Sequence, residues 1–564
     1  MPTDPPPYYL LNFERALAWI AERYDDLFST GERAFFEAFA ALPQSSRALL
    51  VRMLMRKGTL FRASRLSYEE IGCPLAASQP LVELGWLDSE PALTLDEVFA
   101  LTTRPELLQL FPSTALGKHA RKADLLDALR AAHIDARSYA AWGAPPGDPV
   151  FRVTIAPLCE RWRLMFFGNL HQDWTEFVLA ELGVFKYESV SFSQSSRAFQ
   201  RREDIDAYLA LHAYREGLDG LDALDDDKAL DALVAAVLAV DIDNAWLETR
   251  RAKLLFRIGQ HAERRQAWDA AQAVFGRCTW PGARHRRMRV LERCGRFDDA
   301  LALALQSAES PESEEESQRI ARMLPRLQRQ TGQPAKRAAA TAQPIARSTL
   351  ELVRPAAPIP VEYAARDALS AADAPVHYVE NALINSLFGL LCWEPVFAAI
   401  PGAFFHPFQR GPADLHAPDF RARRAESFNR CLAQLDNGSY RETILLHLES
   451  KAGVQSPFVF WGVLTPELIV QALDCLPAAH LKLWFERLLG DIRSNRSGLP
   501  DLIRFWPAER RYELIEVKGP GDRLQDNQIR WLQYCVQHGM PVRVLDVRWT
   551  DDAGAGAAEA EAAA

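Results

Sequence analysis

No two cysteines in this chain form a C-x-x-C pair. Its eight cysteines, Cys73, Cys159, Cys278, Cys294, Cys392, Cys431, Cys475 and Cys535, are scattered. Scattered thiols build neither a tetrahedral zinc site nor a disulfide framework, so they read as reduced, mostly buried thiols of a cytoplasmic protein. Long hydrophobic runs are missing as well. The longest uncharged, apolar-rich stretch is Asn381–Trp393, and a bilayer span needs about 20 residues. No membrane partner is expected. The opening MPTDPPPYYLLNFERA has no basic n-region and no apolar h-region, so no secretory signal is expected. An excess of positive charge is also lacking, since the formal net charge is −9. That average hides clustering. Residues 219–227 and 312–316 are acidic, whereas Arg47, Arg52, Arg56, Lys57, Arg62 and Arg65 form one basic block. Arg284, His285, Arg286, Arg287, Arg289, Arg293 and Arg296 form a second. A local basic strip matters more to phosphate binding than net charge does.

What is present is a soluble composition, 48% apolar and 25% charged over 564 residues, long enough for several domains. The most informative stretch is Gly498–Gln528, GLPDLIRFWPAERRYELIEVKGPGDRLQDNQ. It reads as a short strand, DLIRFW, a turn, PAER, and a second strand, RYELIEVK. A four-residue hairpin loop over Pro507–Arg510 pairs Trp506 with Arg511. Counting back sets Asp501 opposite Glu516, with Cβ atoms about 4.5–5.5 Å apart. Lys518 is two residues beyond Glu516 and shares its strand face. Opposed carboxylates destabilise a sheet unless something neutralises them, and a hard divalent cation does so. Such a cation polarises a phosphoryl oxygen, and Lys518 is placed to orient water or stabilise phosphate charge. The competing reading is a surface hairpin with an ordinary Glu/Lys pair. A bare E-x-K triplet decides nothing, because Glu449-Ser450-Lys451 has the same form; it lacks an upstream Pro-Asp and lies in a helix-prone run.

At Gly498-Leu499-Pro500-Asp501, Glu516-Val517-Lys518-Gly519-Pro520, Asp522, Leu524 and Gln528 the chain resembles the VRR-NUC branch of the PD-(D/E)xK nucleases. YYLLNF, VRMLMRKGTLFRASRLSYEEIG, MFFGNLHQDWTEFVLAELG and VENALINSLFGLLCWEPVF resemble the Fanconi-associated structure-specific nucleases. The resemblance covers most of the chain, with residues 220–375 matched only by helical character. It implies cleavage near 5′ flaps and a part in interstrand crosslink repair. It also implies duplex contacts at Tyr8, Arg56, Lys57 and Tyr68, and the Val517 carbonyl as a further cation ligand.

The expected architecture is multidomain and mainly α, with a C-terminal α/β restriction-endonuclease-like nuclease domain. Residues 1–75 read as a helical DNA-binding region, with 8–70 helical and Arg52 and Arg56 four apart on one helix face. Residues 76–147 resemble a SAP module, with Lys118, Arg121 and Lys122 at or just after a basic turn. Residues 148–205 read as a small mixed subdomain, in which FRVTIAPL, WRLMFFGN and YESVSFSQ are strands and WTEFVLAELG a helix. Residues 206–333 are helical and TPR-like, 334–349 a linker, 350–550 the nuclease module and 551–564 a low-complexity tail.

Glu380 completes the expected site. In YVENALINSLFGLLCW it falls near the start of a helix apolar nearly all round. A third carboxylate there serves as a ligand or as a partner of the helix N-terminus; the resemblance favours the ligand. Asp522 and Gln525 form a D-x-x-Q capping pattern. Gln528 reads either as a core hydrogen-bonder or as a group placing water or phosphate. Arg284, Arg286 and Arg287 are candidates for a pocket holding a terminal 5′-phosphate. The whole implies a Mg²⁺- or Mn²⁺-dependent phosphodiesterase acting on branched or flapped DNA. Two rivals stand beside it: a symmetric Holliday-junction resolvase, and a helical-repeat scaffold with a spent nuclease module.

Overall fold

The computed structural model describes residues 6–112, 121–145, 147–175, 185–221, 227–334 and 344–550. The chain divides into two compact units, 1–185 with 193–206, and 186–192 with 207–564.

The first unit is mainly helical: α1 (Tyr8–Tyr24), α2 (Thr30–Ala41), α3 (Gln44–Leu54), α4 (Pro74–Glu83), α5 (Leu95–Leu101), α6 (Arg104–Leu110), α7 (Lys122–Arg130) and α8 (Ala156–Phe167). α1 buries Leu10, Phe13, Leu17 and Ile20, a three- and four-residue spacing that lays one apolar stripe on the core. The continuous helical reading of residues 8–70 fails after Leu54. Gly58 takes a left-handed φ of 88°, and the chain turns into β1 (Leu60–Arg62). β1 and β2 (Leu87–Asp88) flank β3 (Val150–Val153), both antiparallel to it.

Of the three strands expected in 148–205, only the first forms. WRLMFFGN lies in α8, ended by Gly168 at φ 68°. A short apolar run has no period that separates a buried helix from a buried strand, and Trp162, Leu164, Met165 and Phe166 are all buried. YESVSFSQ joins no sheet among the described residues; next to it Lys186 makes one isolated bridge, to Val454. Most of WTEFVLAELG lies outside the described residues.

After the helix Arg202–Leu221, the second unit holds helices stacked each on the next: α9 (Asp227–Ala239), α10 (Ala245–Arg264), α11 (Trp268–Arg277), α12 (Ala283–Arg293), α13 (Phe297–Glu309) and α14 (Glu314–Gln330). Their shared cores hold Leu254, Ile258, Phe275 and Val290, and then Met288, Leu301, Ile320 and Leu327. The expected linker ends early, because Ala346–Leu352 is already strand β4.

β4 opens a five-stranded sheet of order β4-β8-β7-β6-β5, where β5 is Val376–Tyr378, β6 Leu502–Trp506, β7 Arg511–Lys518 and β8 Val542–Trp549. β8 is parallel to both β4 and β7, while β6 is antiparallel to β7 and β5. Strand alternation sorts the apolar residues onto two faces. Leu502, Ile515, Val517, Leu545 and Val547 meet α15 (Val361–Leu369) through Ala365. Ile503, Phe505, Tyr512, Leu514 and Val544 meet the larger core. That core is completed by α16 (Leu383–Leu391), α17 (Ala425–Asn437), α18 (Tyr440–Ser450), α19 (Pro466–Cys475) and α20 (Ala478–Gly490). Covered on both sides, β7 is buried from Leu514 to Lys518. The short helix α21 (Ile492–Asn495) leads into β6, and α22 (Asp526–Gln537) follows β7.

Candidate active site

The hairpin has the register the sequence implies. Trp506 pairs with Arg511 and Leu502 with Ile515, so the next step back sets Asp501 against Glu516. Pro507–Glu509 make one 3₁₀ turn, and Arg510 closes the loop at φ 51°. Arg511 stacks 3.6 Å over the Trp506 ring.

The acids lie at the end of the most enclosed strand. Glu516 is 0% exposed, Asp501 6% and Lys518 8%. Asp501 Oδ2 accepts a 2.8 Å hydrogen bond from the Val517 amide. Lys518 Nζ pairs with Glu516 Oε1 at 2.8 Å, and this contact lowers the Glu516 carboxyl against the upward push of burial. Buried charge is costly. Burial, first of all, pushes both carboxyls above their ordinary range, and repulsion by Asp501 adds to the rise at Glu516. Two buried carboxylates set against each other are the donor set a hard divalent cation takes.

Glu380 is not on a helix. Tyr378 pairs with Leu502 in the sheet, Asn381 turns left-handed at φ 52°, and α16 starts only at Leu383. Glu380 is therefore an exposed residue of the β5–α16 turn, held by the Tyr378 hydroxyl and by Asn381 Nδ2 at 3.2 Å. Its charge still acts on both Asp501 and Glu516. Among the described residues no three Asp, Glu, His or Cys side chains already converge as a cation cage, so Glu380 has to leave Tyr378 to join one. Glu362, on α15, also raises Asp501; sequence reading missed it, since nothing local ties α15 to the hairpin. Val517 turns its side chain to the opposite sheet face from Glu516.

The helix cap differs from the D-x-x-Q expectation. Asp522 Oδ2 accepts from the Gly519 amide at 3.0 Å, and the cap of α22 is Gln525, whose amide donates to Gln528 Oε1 at 2.9 Å. Gln528 is thus occupied at the helix start. Gly498 is required where it stands. Its φ is 89°, and a Cβ there would lie 2.8 Å from the backbone carbon of Asn527.

Arg52 bonds Glu70 at 2.7 Å and stacks 4.0 Å over Tyr9. Arg56 falls just past the end of α3, so the pair do not share one helix face; its guanidinium reaches the Arg65 carbonyl at 3.2 Å and the Tyr68 hydroxyl at 3.4 Å. Tyr8 is 55% exposed, and Lys57 is exposed. In the SAP-like segment Arg121 is exposed, Lys122 Nζ donates inward to the Thr102 carbonyl at 2.8 Å, and Lys118 lies outside the described residues. The second basic block is largely neutralised. Arg284 pairs with Glu316, Arg286 with Glu263 at 2.8 Å, and Arg287 lies against Gly276. A second group of cations around Lys253 was not singled out from sequence; within it Arg257 pairs with Asp219 at 2.9 Å and Arg250 packs over Trp246. Burial lowers the Lys253 ammonium below its ordinary range, and Arg250, Arg215, Arg493 and Arg257 lower it further.

Residues 435–549 match the VRR-NUC domain family, 7–88 the FAN1 HTH domain and 92–142 the Fanconi anemia-associated nuclease SAP domain. The Fanconi-associated nuclease 1 homolog of Pseudomonas aeruginosa is 54% identical over 552 residues, 98% of each chain. The chain belongs to the Fanconi-associated nuclease 1 family. The human Fanconi-associated nuclease 1 is 24% identical, matching 96% of this chain and 62% of its own length. A crystal structure of paFAN1 bound to 2nt 5′ flap DNA with gap superposes at a TM-score of 0.87, covering 97% of this chain and 99% of that one. As a member of this nuclease family the protein is a DNA-cleaving hydrolase, and the PD-(D/E)xK type implies dependence on a divalent cation. That membership answers the scaffold reading. The helix-turn-helix character of 7–88 is something the sequence reading did not reach. Among the described residues no single helix is long and apolar enough to cross a membrane.

Proposed function

We propose that the protein is a Mg²⁺- or Mn²⁺-dependent nuclease that cuts one DNA strand near a 5′ flap, works in the cytoplasm and serves interstrand crosslink repair. The observation that carries this reading is the buried Glu516 carboxylate set against Asp501, with Lys518 paired to it. Asp501 and Glu516 would hold the cation, with Glu380 and the Val517 carbonyl completing its shell. When bound, the cation supplies Lewis-acid polarisation of the phosphoryl group. Lys518, fixed beside Glu516, steadies charge on the phosphate or orients the attacking water. Gln528 holds the start of α22, behind the loop that follows Lys518. The products are a 5′-phosphate and a 3′-hydroxyl. Flapped, nicked, four-way and single-stranded DNA, each assayed with Mn²⁺, Mg²⁺ and EDTA, test the assignment. Flapped DNA is expected to be cut fastest and EDTA to stop the reaction; paired incisions in the four-way junction would favour a resolvase.

Duplex binding is assigned to Tyr8, Arg52, Arg56, Lys57 and Tyr68, with Arg121 and Lys118 in support. Phosphate contacts release counterions, which gives a log–log salt slope of about −0.9 per neutralised phosphate. The double variant Arg56→Ala/Lys57→Ala should flatten that slope by about 1–2 and weaken all duplex-containing substrates alike. An unchanged slope removes both residues from the interface.

A terminal 5′-phosphate, if used to select the cut, is assigned to Lys253 with the exposed Arg215 and Arg493, in place of the sequence-based choice of Arg284, Arg286 and Arg287. Wild type should then cut 5′-phosphorylated flaps faster than 5′-hydroxyl flaps. Lys253→Ala/Arg493→Ala should erase that preference while Arg286→Ala/Arg287→Ala keeps it. Equal wild-type rates on both ends would leave junction shape as the selecting feature.

A further inference from the structure

Helix α14, the last of the stacked series, grips the first turn of α22. Arg322 makes a planar two-bond contact with Asp526, Nη1 to Oδ2 and Nη2 to Oδ1, each 2.6 Å. One turn earlier, Gln318 Nε2 donates to the Asp526 carbonyl at 3.5 Å, and its Oε1 accepts from Arg530 Nη1 at 2.8 Å. At the start of α14, Glu314 pairs with Arg487, which is sandwiched against Trp531 and Tyr534 and donates to the Arg530 carbonyl at 3.3 Å. The contacts run along one face of α14, at positions 314, 318 and 322.

The gripped turn touches both catalytic strands. On one side, Asn527 Nδ2 donates to Ser497 Oγ at 3.3 Å, and the Asn527 backbone lies so close to Gly498 that no side chain fits between them. Gly498 is three residues before Asp501. On the other side, the loop from Gly519 to Gln525 runs from Lys518 into the same turn, tied by Asp522 to the Gly519 amide and by Gln528 to the Gln525 amide. A displacement of the α22 start therefore moves the approach to Asp501 and the exit from Lys518 together.

We propose that Arg322 is a positioning residue for DNA cleavage: through Asp526 it locks α22 so that Asp501, Glu516 and Lys518 keep the spacing the reaction needs. Arg322 lies on α14, outside the nuclease sheet, so in this reading the helical array helps set the geometry of the site. Planar guanidinium–carboxylate pairing suits such a lock because it fixes direction as well as distance. A lysine keeps the charge but loses the fork.

This inference rests on the assignment of Asp501, Glu516 and Lys518, and its test is separable from theirs. Full-length Arg322→Ala, Asp526→Ala, the double variant and Arg322→Lys are assayed on a 5′-flap substrate across a Mn²⁺ titration, beside Asp501→Ala. Each single alanine variant should lower kcat by about tenfold, a smaller effect than the roughly 10²-fold that a misplacement of about 1 Å can cost, since the pair is half exposed. It should also raise the half-saturating Mn²⁺ concentration, with KM for DNA and the thermal midpoint unchanged. The double variant should be no worse than either single, because the two side chains act through each other. Arg322→Lys should recover only part of the loss. Wild-type kcat in both single variants, additive losses in the double, or a loss that follows a lowered thermal midpoint would overturn the proposal. Activity surviving in Asp501→Ala would instead overturn the site assignment beneath it.

Discussion

Asp501→Ala and Glu516→Ala are each expected to lower the rate of flap cleavage by at least about 10³-fold, the scale on which loss of a preorganised charge stabiliser is felt. Each should leave flap binding measurable, because the carboxylates repel phosphate rather than attract it. Removing either breaks the opposed pair that the β6–β7 register builds. Lys518→Ala should also lose cleavage but retain cation binding, since its ammonium neighbours Glu516 without occupying a ligand position. Glu380→Ala should weaken cation binding, the carboxylate being held only by Tyr378 and Asn381 before it is recruited. Single-turnover rates on end-labelled flaps, with Mn²⁺ affinity measured calorimetrically for each variant, make the separation. Near-wild-type cleavage in Asp501→Ala or Glu516→Ala would remove these two residues from the chemistry.

A second large effect is expected in stability. Asp501 is pushed from 3.8 up to about 6, and Glu516 from 4.5 up to about 8, each mainly by burial. A carboxyl whose folded value exceeds its unfolded one binds its proton more tightly in the folded state. Its contribution is complete below the unfolded value and is lost as pH rises through the folded one. The cation-free protein should therefore lose stability as pH rises from 3.8 to about 8. A divalent cation reverses the sign, because it takes the ionised carboxylates and displaces their protons. The rise in thermal midpoint on adding Mn²⁺ should be larger at pH 8 than at pH 6, on the order of 5 °C larger. Glu516→Gln should have a higher midpoint than wild type in EDTA at pH 8 and gain little from the cation, while cutting no DNA. Scanning fluorimetry over pH with EDTA or Mn²⁺ checks both halves. A Mn²⁺ effect of equal size at pH 6 and pH 8 in wild type would contradict the buried-carboxylate account.

The core of the site was legible because hairpin geometry is local. PAER sets the loop length, the loop sets the register, and the register puts Asp501 across from Glu516. Strand alternation then puts Lys518 on the face of Glu516. All of this follows from neighbours in sequence and a period of two. Family membership was legible for a related reason, since its motifs are contiguous strings such as GLPD and EVKGPGD. Part of the cationic cluster was also within reach, because Arg250, Lys253 and Arg257 repeat along one face of a helix.

Tertiary structure alone decided the rest. Glu380 left the helix because β5 pairs with β6, and pairing between distant segments has no local signal. WRLMFFGN proved helical, and its run of buried apolar residues had left no period by which sequence could tell helix from strand. Arg284 and Arg286 pair with Glu316 and Glu263, partners that no local pattern announces, and Arg493 comes near Lys253 from far along the chain. The lock between Arg322 and Asp526 spans 204 residues of sequence. The sequence by itself determined the chemistry, because opposed acids in a hairpin follow from bond geometry and side-chain alternation. Where that chemistry is held, and which cations are left to meet DNA, depended on packing and charge pairing between segments far apart in the chain.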